Sequence, residues 1–140
     1  MTPKQYLLRA WQIDKRIDAK LAERDRLYDR VDALRSPRLS DMPRGGQHDW
    51  TDAVHDLVEL TRDIDGEIRE LCRVKREVRE AIDSVEDLRL RRVLELRYRS
   101  YMTWEQIAQE MGYELRWVYE LHGRALLQIR PAMNRGGTES

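Results

Sequence analysis

The side chains with chemistry suited to nucleophilic, general-base or metal-binding work are few: Cys72, His48, His55 and His122. A cysteine zinc site or an internal disulfide needs more than one thiol, and Cys72 is the only cysteine in the chain. The three histidines share no metal-ligand spacing, and no Ser or Cys nucleophile is implied beside His48 or His55. His122 follows Leu121 on a predicted helix and is expected to be a surface residue or one facing nucleic acid rather than a catalyst. Gly45-Gly46 lacks the Lys-Ser/Thr of a phosphate loop and reads as a turn. Asp and Glu are plentiful but alternate with Arg, the pattern of solvated helix faces rather than of an acid/base pair. No catalytic residue, metal or cofactor is expected, and the chain is not expected to be an enzyme.

The other chemistry legible in the sequence is recognition. Thr103-Trp104-Glu105-Gln106 is a capping box: the threonine oxygen accepts from the third helical N–H while the glutamine reaches back to the cap. A short helix should start at Trp104 and stop at Gly112, which tolerates the left-handed conformation that closes a helix. A further helix should run from about Leu115 to Arg130, ahead of Pro131. A helix-turn-helix needs a small residue where its helices cross, a glycine at the turn, and spaced apolar residues turned inward on the second helix. Ala108, Gly112, Val118 and Leu121 meet these demands. Trp104 and Trp117 bracket the motif as core or rim aromatics.

The elements that must carry this motif are helical throughout. Leu, Arg, Glu and Ala are abundant, and Gly and Pro cluster at a few breaks, so the fold class is all-α. Tyr6, Ala10, Ile13, Ile17, Lys20, Arg24, Leu27, Val31 and Leu34 recur at spacings of four and three, one stripe of a helix from about Pro3 to Arg35. Residues 36–49, with two prolines and two adjacent glycines, form a loop. A second stripe follows: Val54, Leu57, Thr61, Ile64, Ile68, Leu71, Lys75, Val78, Ile82 and Val85. Two helices of matched length joined by such a loop should lie antiparallel in a coiled-coil-like hairpin. The register that makes facing pairs apolar sets Ile17 against Ile68, Leu21 against Ile64 and Val31 against Val54. Lys20, Arg24, Thr61 and Lys75 interrupt the seams; stems that snorkel to water are the favoured account, with fixing of register or contact with a partner subunit as the alternative. A third helix should follow a cap at Ser84, with Asp87 three residues on, and run to about Tyr98, burying some of Leu88, Val93, Leu94 and Leu96. The expected organisation is a hairpin over 1–83, a helix-turn-helix domain over 84–131 and a flexible tail over 132–140.

In 140 residues, 26 Lys and Arg balance 26 Asp and Glu, so affinity for nucleic acid must come from local arrangement rather than from a polybasic tail. No apolar stretch is long enough for a membrane span or signal peptide, and a cytoplasmic protein is expected.

Leu94-Glu95-Leu96-Arg97-Tyr98, Thr103-Trp104-Glu105-Gln106-Ile107-Ala108, Met111-Gly112-Tyr113, Val118 and Arg124-Ala125-Leu126 resemble region 4 of the sigma-70 family, the domain that reads the promoter −35 element. The N-terminal run Tyr6–Ile17, the segment Leu39-Ser40-Asp41-Met42-Pro43 and Leu121-His122-Gly123-Arg124-Ala125-Leu126 are similar to a phage and prophage family grouped with sigma-like or late-gene transcriptional regulators. The resemblance implies sequence-specific binding of double-stranded DNA through a recognition helix in the major groove. It makes Leu115, Arg116, Tyr119 and Glu120 the residues that read base edges, and sets Thr103, Trp104, Arg97, Arg99 and Arg124 near the DNA backbone. Where the family carries a Ser or Thr cap this chain has Glu114, and with Leu115 and Glu120 its reading head is less cationic than usual. Host RNA polymerase is a candidate partner, and a homodimer through the hairpin is expected. Two other readings stand beside this one: a packaging component such as a small terminase subunit, and a protein-interaction module acting on a host factor.

Overall fold

The structure, a computed structural model, describes residues 1–35 and 46–129, and among these it is all-helical. Helix α1 spans Pro3–Arg35 and α2 spans Gly46–Asp83, forming a long hairpin; α3 (Leu88–Leu94), α4 (Trp104–Met111) and α5 (Leu115–Leu126) follow. Residues 36–45 of the expected loop, the expected tail over 132–140 and Arg130 lie outside the described residues. Helix α2 begins at Gly46, so the stretch 46–49 expected to be loop is its first turn, with Asp49 favourably placed at the positive end of the helix dipole. Among the described residues no helix is long and apolar enough to cross a membrane.

The chain divides into two compact units, Ile13–Glu70 and Met1–Gln12 with Leu71 onward, so both long helices contribute to each. In the first of these, α1 buries Ile13, Ile17 and Val31, with Lys20, Arg24, Leu27 and Leu34 half-buried, as the stripe predicts. The α2 stripe differs. Ala53, Leu60 and Ile64 are its buried members, Leu57 and Glu67 are half-buried, and Ile68 is exposed. The seam continues through Leu71, Val74, Val78, Ala81 and Val85, again with Lys75 outside it. The observed set keeps strict heptad spacing, and at alternate positions it sits one residue before the expected one. Ala53, Leu60, Glu67 and Val74 stand where Val54, Thr61, Ile68 and Lys75 were expected, whereas Ile82 is fully buried as expected, beside Ala81.

Glu67 is thus the polar member of the α2 seam, and it is paired. Its carboxylate accepts from Arg16 Nη2 at 3.1 Å and from Lys20 Nζ at 3.2 Å. Lys20 therefore does more than snorkel. These bonds hold the Glu67 carboxyl below the usual carboxylate range, the Arg16 hydrogen bond being the largest cause, and raise the Arg16 guanidinium in return. Lying between Arg16 and Lys20, Glu67 confirms the expected register to within a residue, although Ile68 does not face Ile17 across a buried seam.

The second unit buries α1 more widely: Tyr6, Leu7 and Ala10 are all in its core. Leu7, outside the expected stripe, is fully covered because here the apolar face must meet more than one neighbour. Burial of Leu7, Ile82, Leu94, Ile107 and Leu121 stabilises the fold by roughly 1.5–3 kcal/mol each. Arg9 pairs with Glu77 at 2.9 Å across α1 and α2.

The cap of α3 is Asp87 rather than Ser84. The Asp87 carboxylate accepts from the backbone N–H of Arg89 at 2.9 Å and of Leu90 at 3.2 Å, whereas the Ser84 hydroxyl donates to the Ala81 carbonyl and so closes α2. Starting three residues later turns Leu88 out to solvent and buries Leu90 with Val93 and Leu94. The helix then widens to a π-helical turn over Glu95–Arg99, where the Ser100 N–H donates to the Glu95 carbonyl at 3.0 Å.

Candidate functional site

Helix α4 starts and stops where its signals require. Thr103 Oγ1 accepts from Gln106 N at 3.1 Å, Gln106 Oε1 accepts from Thr103 N at 2.9 Å, and Gly112 takes φ +72° with its N–H on the Ala108 and Gln109 carbonyls. Tyr113 and Glu114 carry the chain into α5. Leu96, Ile107 and Val118 form the core of this motif, with Met102, Trp104, Ala108, Met111 and Tyr113 packed around it. Val118 and Leu121 face inward as the spacing predicts. Helix α5 ends at Leu126 rather than near Arg130; single-turn bonds from Gln128 to Ala125 and from Ile129 to Leu126 follow, and they turn Ile129 into the core.

The outward face of α5 carries Arg116, Tyr119, Glu120 and Arg124, all exposed, with Leu115 half-buried at its start. Glu120 and Arg124 lie one turn apart and pair at 3.2 Å, and the Arg124 guanidinium sits 5.2 Å from the Trp117 ring centre. Arg116 has no ion pair among the described residues. Glu114 makes no side-chain cap bond, which leaves the first-turn N–H groups of α5 unclaimed by a side chain.

Behind this face lies an aromatic cluster. Trp104 meets Tyr119 edge-on at 5.4 Å and His122 at 4.6 Å, and the Arg97 guanidinium covers the Trp104 ring at 4.3 Å. Arg97 also donates to the Met102 carbonyl at 2.8 Å. The geometry brings Arg97, Trp104 and Tyr119 together, and Glu120 with Arg124. Thr103 is engaged in its cap, while Arg99 is exposed at the end of the π-helical turn.

His122 is not a surface residue: it is 9% exposed, and its Nε2 lies 2.7 Å from the Tyr98 hydroxyl, with the two rings stacked at 5.7 Å. Burial first, then the positive charges of Lys4 and Arg97, push the His122 imidazole down to about 4, and burial pushes the Tyr98 phenol up to about 12. Near neutral pH both are uncharged and satisfy one another. The sign of this role was available in the spacing, since Val118, Leu121, His122 and Ala125 form one helical stripe; the polar identity of histidine concealed it.

Among the described residues no group of three His, Cys, Asp or Glu side chains could hold a metal ion. No curated protein and no solved structure matches the chain. The model of one family, described as a protein of unknown function, DUF1492, matches residues 33–129, all of α2 and every helix after it, and the chain belongs to that family.

Proposed function

We propose that this protein is a sequence-specific DNA-binding regulator of phage or prophage transcription, with α5 as the helix that enters the major groove. The observation that carries the reading is the α4–turn–α5 unit, capped at Thr103 and closed by left-handed Gly112, which leaves Arg116, Tyr119 and Glu120 on one solvent face of the second helix. Arg116 can donate two hydrogen bonds to guanine, Glu120 can accept from a cytosine amine, and Leu115 and Tyr119 offer apolar edges to a thymine methyl. Thr103, Trp104, Arg97, Arg99 and Arg124 are the residues assigned by this reading to the DNA backbone. The similarity to sigma-70 region 4 supports the same assignment and makes host RNA polymerase the partner to test.

A homodimer through the hairpin belongs to this reading. The unit formed by Ile13–Glu70 leaves Tyr28, Val58 and Ile68 exposed, and paired half-sites are how helix-turn-helix proteins gain affinity. A second reading, protein contact by the same helix, draws on the neutralised Glu120–Arg124 pair and on Leu127, which is 72% exposed at the end of α5. Selection from random DNA duplexes at moderate salt, with the solution mass measured on the same preparation, separates them. An enriched motif, repeated if the protein is dimeric, supports the regulator; no enrichment together with a stable co-purifying protein supports the contact module. A ring-sized oligomer with sequence-tolerant binding would instead favour a packaging component.

A further inference from the structure

We propose that the groove beside the π-helical turn binds a free nucleoside diphosphate or triphosphate. It is formed within the unit of Met1–Gln12 and Leu71 onward; none of its residues is assigned above to base reading, and two of them, Arg97 and Arg99, are shared with the proposed DNA-backbone contacts. Two cavities, of about 410 Å³ and 170 Å³, adjoin there because Tyr98 and Tyr101 line both. The larger is walled by Trp11, Tyr98 and Tyr101, with Lys4 and Arg97 at its edge; its volume falls in the range of small-molecule sites. The smaller carries Lys75, Arg79 and Arg99. Among the described residues no acidic side chain lines either cavity.

Five cations around three aromatic rings, with no lining carboxylate, define the ligand's chemistry. Lys4, Lys75, Arg79 and Arg99 have no ion pair among the described residues, in contrast to Arg9, Arg16, Arg73 and Arg124, each of which is paired. Lys75 and Arg79 stand one turn apart on α2 and so share a face, where with Arg99 they can hold an anion of several charges. The rings of Trp11 and Tyr101, 42% and 36% exposed, offer a flat heterocycle a stacking surface next to those charges. A planar base joined to a polyphosphate satisfies both halves; an inorganic anion satisfies only one.

The backbone of the lining segment points the same way. Tyr101 has φ +59°, and no other non-glycine among the described residues has a positive φ; for a bulky side chain that conformation costs about 1–2 kcal/mol. It lies directly after the π-helical turn Glu95–Arg99, a second irregularity that supplies Arg97, Tyr98 and Arg99 to the two cavities. Strain retained at a groove wall places the Tyr101 ring where both cavities meet.

The test is calorimetric titration of the full chain at low salt with ADP, GDP, CDP and UDP, with inorganic pyrophosphate and adenosine as half-ligands and a single-stranded 10-mer as the polymer arm. The expected result is binding of at least one nucleoside diphosphate about tenfold or more tighter than either half-ligand. Arg79→Glu and Arg99→Glu, both on exposed positions, should each weaken it by about tenfold. Trp11→Ala should lower the nucleotide toward the pyrophosphate level, with the helical circular dichroism of all three variants unchanged. No binding by any of the four nucleotides, equal binding of pyrophosphate, or indifference to the three substitutions would overturn the proposal. A preference of more than tenfold for the 10-mer over every mononucleotide would also overturn it, in favour of a single strand. Arg116→Ala should leave the nucleotide titration untouched, which keeps this result separate from the fate of the DNA-binding reading.

Discussion

The Tyr98 hydroxyl lies 2.7 Å from Nε2 of His122 and ties the π-helical turn to the inner side of α5. With the imidazole held neutral, the phenol donates and the ring nitrogen accepts. Protonation would turn that nitrogen into a donor with Lys4 and Arg97 as unfavourable neighbours.

Acid should therefore destabilise the protein through His122. Its folded value is depressed to about 4 from 6.5, so between those two pH values the unfolded chain binds a proton that the folded one refuses, and stability falls as pH drops through that window. The full loss is on the order of 3 kcal/mol by pH 4, and none of it is felt above pH 7. Urea melts at pH 7 and pH 4.5 check this. His122→Phe should show a shallower pH slope than the parent, even though its absolute stability is lowered by the unpartnered Tyr98 hydroxyl; an unchanged slope would refute the assignment.

The ion cluster in the hairpin should behave asymmetrically. Glu67→Ala leaves Arg16 and Lys20 without their acceptor at a half-buried seam position and should cost about 0.5–1 kcal/mol, an exposed-pair value because Arg16 is 53% exposed. The double replacement Lys20→Leu, Glu67→Leu completes an apolar seam and should restore or exceed the parent's stability. Thermal melts of both variants decide it, and a double variant less stable than Glu67→Ala would refute the seam assignment.

Two glycines should respond oppositely to alanine. At Gly112 nothing lies within 4 Å of an added Cβ, so the cost comes from φ +72° alone, about 1 kcal/mol, and Asn should recover part of it. Gly123 is also in open space but lies inside α5, where alanine should stabilise by about 0.8–1 kcal/mol. Chemical denaturation of the two alanine variants gives the signs directly.

The capping assignments separate two neighbouring residues. Asp87→Ala removes both acceptor bonds at the start of α3 and should cost about 1 kcal/mol, whereas Ser84→Ala removes only a donor to the end of α2 and should cost less. Denaturation midpoints that rank the pair the other way would restore Ser84 as the cap.

If α5 reads DNA, Arg116→Ala should lose about 1–3 kcal/mol of discrimination at one base pair, while Arg124→Ala, whose guanidinium is already shared with Glu120 and Trp117, should weaken binding evenly across sequences. Competition binding against the selected motif and its single-base variants measures both.

Several local signals were legible in the sequence, although the α3 cap, the start of α2 and the end of α5 were not. The helical class, the limits of α1, the Thr103 capping box, the left-handed Gly112 and the inward Val118 and Leu121 all depend on interactions within a few residues, and those are written in residue types and spacings. The α2 seam, the burial of His122 and the exposure of Leu88 and Ile68 are decided elsewhere. A helix offers several nearly equivalent stripes, and which one is covered depends on the size and charge of what packs opposite: Arg16 and Lys20 draw Glu67 into the seam, and the Tyr98 hydroxyl makes an interior place for an imidazole. The groove belongs to the same class, since Lys4 and Trp11 on α1, Lys75 and Arg79 on α2, and Tyr101 come from three segments far apart in the chain and become neighbours only when α1, α2 and the π-helical turn assemble. Neither periodicity nor propensity encodes such a meeting, because it is set by long-range packing rather than by any segment's own preference.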